Sequence, residues 1–260
     1  MKVVLMAGGA GLRLMEETRE RPKPLVTIGD MPVIWHIMKT YSAFGHNDFV
    51  ICAGYRQSQI KRWFNDYFLV RSDVTFDLTG DAPALEVHDS RCEPWRVTIV
   101  DTGRHALTGA RLAAVRDYLG DETFMMTYAD GVCDIDLDAL LARHREAGRT
   151  ATITCVRRPQ SKGLIDLTPD GLVREFREKE HVDDDPINAG YMVLEPEVFD
   201  YIGDDDGPFE RGPMERMAAA GQLAAYEHDG FWQCMDTMRE KILLEKLWAS
   251  GNAPWKTWKD

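Results

Sequence analysis

The sequence is short of positive charge. Against 43 Asp and Glu it carries 31 Lys and Arg, for a formal net charge of −12. Nucleic-acid backbones are held by clustered Lys and Arg, so no nucleic-acid partner is expected. Any phosphate-bearing ligand must be met by a few well-placed cations. Cysteine is also scarce and scattered: Cys52, Cys92, Cys133, Cys155 and Cys234 form an odd set with no Cys-x-x-Cys pair. That argues against a disulfide framework and predicts free thiols in a reducing compartment. No apolar run is long enough to cross a membrane. Met1-Lys2 leads straight into a short apolar stretch, without the longer apolar region and cleavage site of a secretory signal. The expectation is a cytoplasmic protein with no membrane partner. Internal repeats and low-complexity linkers are absent as well.

What is present is an alternation of strand and helix patterns. Val3–Ala7 is an apolar run ending in glycines, the pattern of a buried strand entering a loop. Residues 32–44 carry apolar side chains at helical spacing, with Pro32 at the start and Gly45 past the end. Strand follows at 48–53, then a helix marked by Ile60, Trp63, Phe64, Tyr67 and Phe68. Residues 71–96 are less regular and read as short strands or an excursion. Strands at 97–100, 123–128 and 150–156 alternate with helices at 111–119 and 137–147. This predicts an α/β fold, Rossmann-like, with a mainly parallel sheet flanked by helices. Beyond 156 strands dominate, at 164–167, 173–176 and 189–194. A helical stretch follows near 214–220. A last helix begins at Thr237, whose Thr237-x-x-Glu240 spacing is a capping box. Trp255 and Trp258 in the tail predict docking. The organisation is one domain, 1–260, with a core over 1–156 and a smaller strand-rich portion over 157–260.

The strongest local signal is Ala7-Gly8-Gly9-Ala10-Gly11-Leu12-Arg13-Leu14. Glycines at the end of a parallel strand let backbone N–H groups face a phosphate, and Arg13 adds a cationic fork. Neither familiar phosphate loop fits. A dinucleotide fingerprint would need glycine at Leu14, and no Gly-Lys-Ser/Thr tripeptide occurs. Ten residues on, Arg21-Pro22-Lys23-Pro24 holds a lysine between two prolines, predicting an extended, stiff presentation of Lys23. A lone glycine loop is often a tight turn, and a lone proline-flanked lysine is often a surface residue. Together they suit a triphosphate.

These residues resemble the opening of the nucleotide-sugar pyrophosphorylases. Trp35-His36-Ile37-Met38, Ser72-Asp73-Val74-Thr75-Phe76, Glu93-Pro94-Trp95, Thr108-Gly109-x-Arg111-Leu112, Phe231-Trp232-Gln233 and Met235-Asp236-Thr237 extend the likeness. So does the closing 253–258, and all of them are similar to the glucose-1-phosphate cytidylyltransferase branch. The resemblance implies a nucleotidyltransferase joining CTP to a sugar 1-phosphate, α-D-glucose 1-phosphate first among acceptors, with Mg²⁺ as cofactor. It implies that Gly8, Gly9, Gly11 and Arg13 wrap the triphosphate and that Lys23 neutralises charge at the α-phosphate. Arg111 would contribute to the triphosphate or to an adjoining subunit's site. Asp130 and Asp236 would hold the metal, while Glu178, Lys179 and Asn188 would face the acceptor. A homo-oligomer is implied too, and seven tryptophans suggest that some lie in its interface.

The residues themselves speak to the metal pair. Asp130 follows a predicted strand, and Asp236 precedes a helix that Thr237 already caps, which leaves its carboxylate available. Against the family pattern, Leu12 replaces Thr, Ala129 replaces Gly, Glu180 replaces Pro, and residues 160–165 differ. These departures keep two alternatives open: another phosphorylated or phosphonate acceptor, or a nucleotide-binding regulatory protein without catalysis.

Overall fold

The computed structural model describes all residues except 81, 158–163, 168–172, 178–185, 204–206 and 260; for the strands at 164–167 and 173–177 it describes the backbone alone. In the first half, β1 (Lys2–Ala7) leads through a short helix α1 (Met15–Thr18) to a two-rung hairpin, β2 (Thr27–Ile28) and β3 (Met31–Pro32). Then come α2 (Val33–Ala43), β4 (Asp48–Ala53), α3 (Gln57–Val70), β5 (Ser72–Asp77), β6 (Ala84–Ser90) and β7 (Arg96–Asp101). Helices α4 (Thr108–Ala114) and α5 (Arg116–Leu119) precede β8 (Phe124–Tyr128), β9 (Gly131–Cys133), α6 (Leu137–Ala147) and β10 (Ala151–Arg157). The second half holds β11 (Leu164–Leu167), β12 (Val173–Arg177), β13 (Pro186–Leu194), α7 (Pro213–Ala219), β14 (Leu223–His228), β15 (Trp232–Cys234) and α8 (Met238–Ala249).

Seven strands form the central sheet in the order β14-β10-β13-β8-β1-β4-β7. All run parallel except β13, which is antiparallel to both neighbours. The mainly parallel sheet predicted from the alternation is therefore present. Its central strands β1, β4 and β8 are buried on both faces, whereas the edge strands β7 and β14 are half-exposed. On β1, Val3, Leu5 and Ala7 point into one apolar layer with Ile34, Ile37 and Met38 of α2. Val4 and Met6 point into the other, with Leu112 of α4 and Met217 of α7. A one-residue slip would exchange these sets, so the register is firmly specified.

The stretch after α3, read as short strands or an excursion, is a pair of short strands, β5 with β6, paired antiparallel with a register shift between Asp73 and Val74 and mostly exposed. Two features depart from the sequence reading. Strands β9, β14 and β15 have no counterpart in the pattern; β9 and β15 pair antiparallel, with Gly131 opposite Cys234. The tail tryptophans expected at a subunit contact are buried in their own chain, Trp255 fully and Trp258 nearly so. They surround the buried His36 of α2 together with Trp248 of α8.

His36 explains the order of this aromatic cluster. Its Nε2 lies 2.9 Å from the Ile28 carbonyl and its Nδ1 lies 3.4 Å from the Trp255 indole nitrogen. The first needs a donor and the second an acceptor, so the ring is neutral and singly protonated on Nε2. Burial depresses its pKa from 6.5 to about 4, against the opposing pull of the Ile28 carbonyl. In the unfolded chain the ring would titrate near the ordinary value. Above pH 6.5 both states are neutral; as pH falls towards 4 the unfolded state alone gains the proton, and stability declines before levelling off. The loss should reach about 3 kcal/mol. Denaturant melts of wild type and His36→Gln at pH 7 and pH 4.5 test this. The variant should lose less stability between the two, and equal losses would refute the assignment.

Candidate active site

Parallel strands expose their C-terminal ends on one edge of the sheet, and ligands of open α/β sheets bind there. At that edge β1 runs into the glycine loop and β8 into Ala129-Asp130. The two ends are held side by side, with Met6 opposite Tyr128 and the Ala129 amide donating to the Met6 carbonyl at 3.2 Å. The β9–β15 pair brings a distant segment to the same place, because the Met235 amide donates to the Asp130 carbonyl at 2.8 Å. Asp130 and Asp236 thereby become neighbours. The capping box read from Thr237-x-x-Glu240 is formed, and the Glu240 carboxylate also accepts from the Asp236 amide at 2.8 Å. That fixes the Asp236 backbone while its carboxylate faces inward.

Lys23 lies between the two acids. Its Nζ is 2.5 Å from an oxygen of each, Asp130 Oδ2 and Asp236 Oδ1. Arg13 reaches the other Asp236 oxygen at 3.0 Å from a side chain that is 75% exposed. Lys23 is 9% exposed. Burial alone would lower its pKa, but the charges and hydrogen bonds of Asp130 and Asp236 outweigh it, and the net direction is upward from 10.5. Burial would likewise raise that of Asp236; its bonds to Lys23, helped by Arg13, carry it below 3.8 instead. Pro22 is extended as predicted, but Lys23 itself opens a short 3-10 turn over Lys23–Leu25 rather than continuing the extension. Pro24 occupies an early helical position where its missing N–H costs nothing, so the turn is compatible with both prolines.

Lys23, Asp130 and Asp236 line a cleft of about 350 Å³ together with Gly9, Gly11, Leu12, Arg13 and Ala129. Two of the loop glycines are required for different reasons. Gly11 has φ of 63°, a left-handed conformation that side chains avoid. Gly8 has no room: a Cβ there would sit 2.1 Å from the Arg111 guanidinium. Gly8 lies behind the cleft rather than in its lining.

Arg111, expected at the triphosphate or at an adjoining subunit's site, is 4% exposed and does not line the cleft. Its guanidinium donates to the Gly8 carbonyl at 3.0 Å, the Gly103 carbonyl at 2.8 Å and Thr102 Oγ1 at 2.7 Å. It ties together the loops that follow β1 and β7. The guanidinium fork suits such a task because several carbonyls can be satisfied at once.

The acceptor residues fall differently. Because β13 is antiparallel, its first residues lie at the same edge as the end of β8. Asn188 sits there, half-buried, its Oδ1 accepting from the Gly190 amide at 2.8 Å. Glu178 and Lys179 lie outside the described residues, as do Gln160, Ser161, Lys162, Gly163 and Glu180. Sequence reasoning missed one group at this edge. Glu210 accepts from the Tyr128 hydroxyl and, at 2.7 Å, from Thr108 Oγ1. No motif in the chain joins these three residues, and only the fold does.

The arrangement can hold a divalent cation. Two carboxylates from separate segments, close enough to share one ammonium group, offer the hard oxygen donors that Mg²⁺ takes alongside phosphate oxygens and water. Lys23 and Arg13 would then meet the phosphates.

Comparison with known proteins gives a consistent picture. Residues 2–237 match the family model described as nucleotidyl transferase. The glucose-1-phosphate cytidylyltransferase of Salmonella typhimurium is 49% identical over 259 residues, covering 99% of this chain and 100% of that protein. The probable glucose-1-phosphate cytidylyltransferase of Bacillus subtilis is 39% identical over 260 residues, covering 99% and 100%. Among solved structures, HddC from Yersinia pseudotuberculosis superposes with a TM-score of 0.68 at 18% identity, covering 95% of this chain and 99% of that one. A putative glucose-1-phosphate thymidylyltransferase from Bacillus anthracis gives 0.67 at 17% identity, covering 100% and 98%. At such identities these two speak to the fold alone.

Proposed function

The chain belongs to the nucleotidyl transferase family, and from that premise we propose the reaction it catalyses: CTP and α-D-glucose 1-phosphate give CDP-glucose and pyrophosphate. The names of the near-full-length relatives support both substrates. The observation that carries the chemistry is the Lys23 ammonium held between Asp130 and Asp236 at the foot of the glycine-loop cleft.

An oxygen of the acceptor phosphate attacks the α-phosphorus of CTP. A new phosphorus–oxygen bond forms as the bond to the β-phosphate breaks, and pyrophosphate leaves with the electron pair. A phosphate is already ionised at neutral pH, so no general base is needed. What the protein must supply is alignment and neutralisation of spreading charge. The backbone of Gly9 and Gly11 and the exposed guanidinium of Arg13 receive the β- and γ-phosphates. Lys23, protonated at neutral pH, places its charge at the α-phosphate. Arg111 holds the Gly8 carbonyl from behind and keeps the loop shaped for this task. Mg²⁺ held by Asp130 and Asp236 would supply electrostatic stabilisation of the transferring phosphoryl group. Glu178, Lys179 and Asn188 would bind the acceptor. These intact groups leave the non-catalytic alternative without support.

The protein is proposed to act in the cytoplasm as a homo-oligomer. None of its five cysteines forms a disulfide, and among the described residues no helix is long and apolar enough to cross a membrane. The β5–β6 hairpin exposes Phe76 and Leu78 at 59% and 72%, with Leu85 and Val87 beside them. Exposed apolar side chains of this kind favour contact with another copy.

Competition among acceptors tests the substrate. CTP is offered with glucose 1-phosphate beside other phospho-sugars, phospho-polyols and aminoalkyl phosphonates, and pyrophosphate release is followed. Glucose 1-phosphate should lead by several powers of ten in kcat/KM, since polar groups built for one acceptor are left unpaired by another. Silence with glucose 1-phosphate and turnover with another acceptor would remove the glucose assignment and leave the cytidylyltransferase in place.

A further inference from the structure

Arg56 stands in an unusual conformation. Among the described residues it alone is a non-glycine with positive φ, at 52°. It precedes α3 in the N-cap position yet makes no capping bond. Helix N-caps favour extended backbone and short polar side chains, and a left-handed residue favours glycine or asparagine. Strain of this kind persists where surrounding interactions over-determine it.

Those interactions all point one way. Tyr55, Arg56 and Gln59 donate in turn to three consecutive carbonyls on the far side of the glycine loop. The Tyr55 hydroxyl reaches Thr18 at 3.3 Å, Arg56 Nη2 reaches Arg19 at 2.5 Å, and Gln59 Nε2 reaches Glu20 at 3.0 Å. Arg56 Nε also donates to the Tyr55 hydroxyl at 2.9 Å, which orients that hydroxyl towards Thr18. The Tyr55 backbone amide donates to the Gly8 carbonyl at 3.0 Å. One corner between β4 and α3 thus grips the chain at Gly8 and again at residues 18–20. Between the two grips lie Gly9, Gly11, Leu12 and Arg13, which line the cleft, and just beyond the second lies Lys23.

We propose that this corner is a positioning device for the phosphate-binding segment, with Arg56 as its key residue. Arg56 does not line the cleft. Its left-handed backbone sends the guanidinium back across the turn, so that the segment carrying Arg13 and leading to Lys23 is held at both ends before the nucleotide arrives. A segment ordered in advance loses less freedom on binding, and the gain falls on triphosphate affinity. The role rests on the proposed use of CTP, but the grip itself is independent of that reading.

The test separates the backbone from the side chain. Arg56→Gly accepts φ of 52° without strain but removes the guanidinium. Hydrogen exchange of amides 9–20 should quicken by about tenfold, the scale of losing one charge-assisted hydrogen bond. Exchange in β1 and β8 should stay unchanged, and the melting temperature should hold or rise. KM for CTP should rise by about tenfold, with a smaller change in kcat. Arg56→Lys should recover part of the loss, because one ammonium can still reach the Arg19 carbonyl. Tyr55→Phe, which keeps the backbone unchanged, should quicken exchange at 18–20. Unaltered exchange and unaltered KM for CTP would overturn the proposal. So would a uniform quickening across the whole chain, the mark of general destabilisation. If the wild-type chain does not turn over CTP, the substrate reading fails, and exchange alone decides the grip.

Discussion

Turnover of the Asp236→Asn variant is expected to fall by about 100-fold or more, the scale of losing one charge-stabilising group in a preorganised site. Asp236 contacts Lys23 through one oxygen and Arg13 through the other. The amide keeps the shape and removes the charge, so the proposed metal loses a ligand and both cations lose their anchor. Its folding role is small by comparison. Thr237 and Glu240 cap α8 without the Asp236 side chain, so the variant should fold. Asp130→Asn should behave alike, since its carboxylate is the second proposed ligand and the second Lys23 partner. The measurement is pyrophosphate release at saturating CTP, acceptor and Mg²⁺, with circular dichroism as the check on folding. Near-normal turnover in either variant would show that its carboxylate does not hold the metal.

Lys23→Ala should be the more damaging change, with kcat reduced by about 1,000-fold. Folding moves the Lys23 pKa above 10.5 and the Asp236 pKa below 3.8. The lysine contribution is therefore complete at neutral pH and is lost only as pH rises through the raised value. The aspartate contribution is lost only as pH falls from 3.8 through the lowered one. At working pH the full charge is available to the α-phosphate as it becomes five-coordinate. A charge used chiefly in the transition state appears in kcat, not in affinity. CTP binding, measured by calorimetry, should weaken far less than turnover. A variant with raised KM and unchanged kcat would assign Lys23 to ground-state binding instead.

The parts of this molecule that sequence patterns disclose are those with a strong local cause. β1 and its loop are readable because an apolar run meets glycines, and α8 because Thr237 and Glu240 stand at capping distance. The β5–β6 hairpin reads only as short strands or an excursion: Val74 and Phe76, like Leu85 and Val87, do alternate with polar residues, but the strands are short and mostly exposed, so no core fixes their pairing. β9 and β15 are three residues each, too short for any period, yet they bring Asp236 to Asp130. The pairing of those two acids is implied by family resemblance and supported locally by a predicted strand end at Asp130 and a helix start after Asp236; the strands that join them are not legible. Arg111 was expected at the triphosphate or at an adjoining subunit's site, and its contacts to the Gly8 and Gly103 carbonyls were not foreseen. A buried arginine that satisfies backbone carbonyls has no pattern of its own, because its partners are main-chain atoms that every residue carries. The Tyr55–Arg56–Gln59 grip is invisible for the same reason.

The reversed strand β13 also bears on how such an enzyme changes its diet. Arg157, the last residue of β10, pairs with Pro186, the first of β13. The chain that leaves the sheet at 157 rejoins it at 186 beside its point of departure, so one ladder pins both ends of whatever lies between. Closing a longer or shorter loop there costs little, because the entropic penalty grows only with the logarithm of length. The stretch holds Glu178 and Lys179 and the positions where this chain departs most from its family's pattern. A change of length between these two paired ends leaves the β10–β13 register untouched. With Glu178 and Lys179 as the proposed acceptor residues, acceptor choice and nucleotide chemistry are free to evolve at different rates within one sheet.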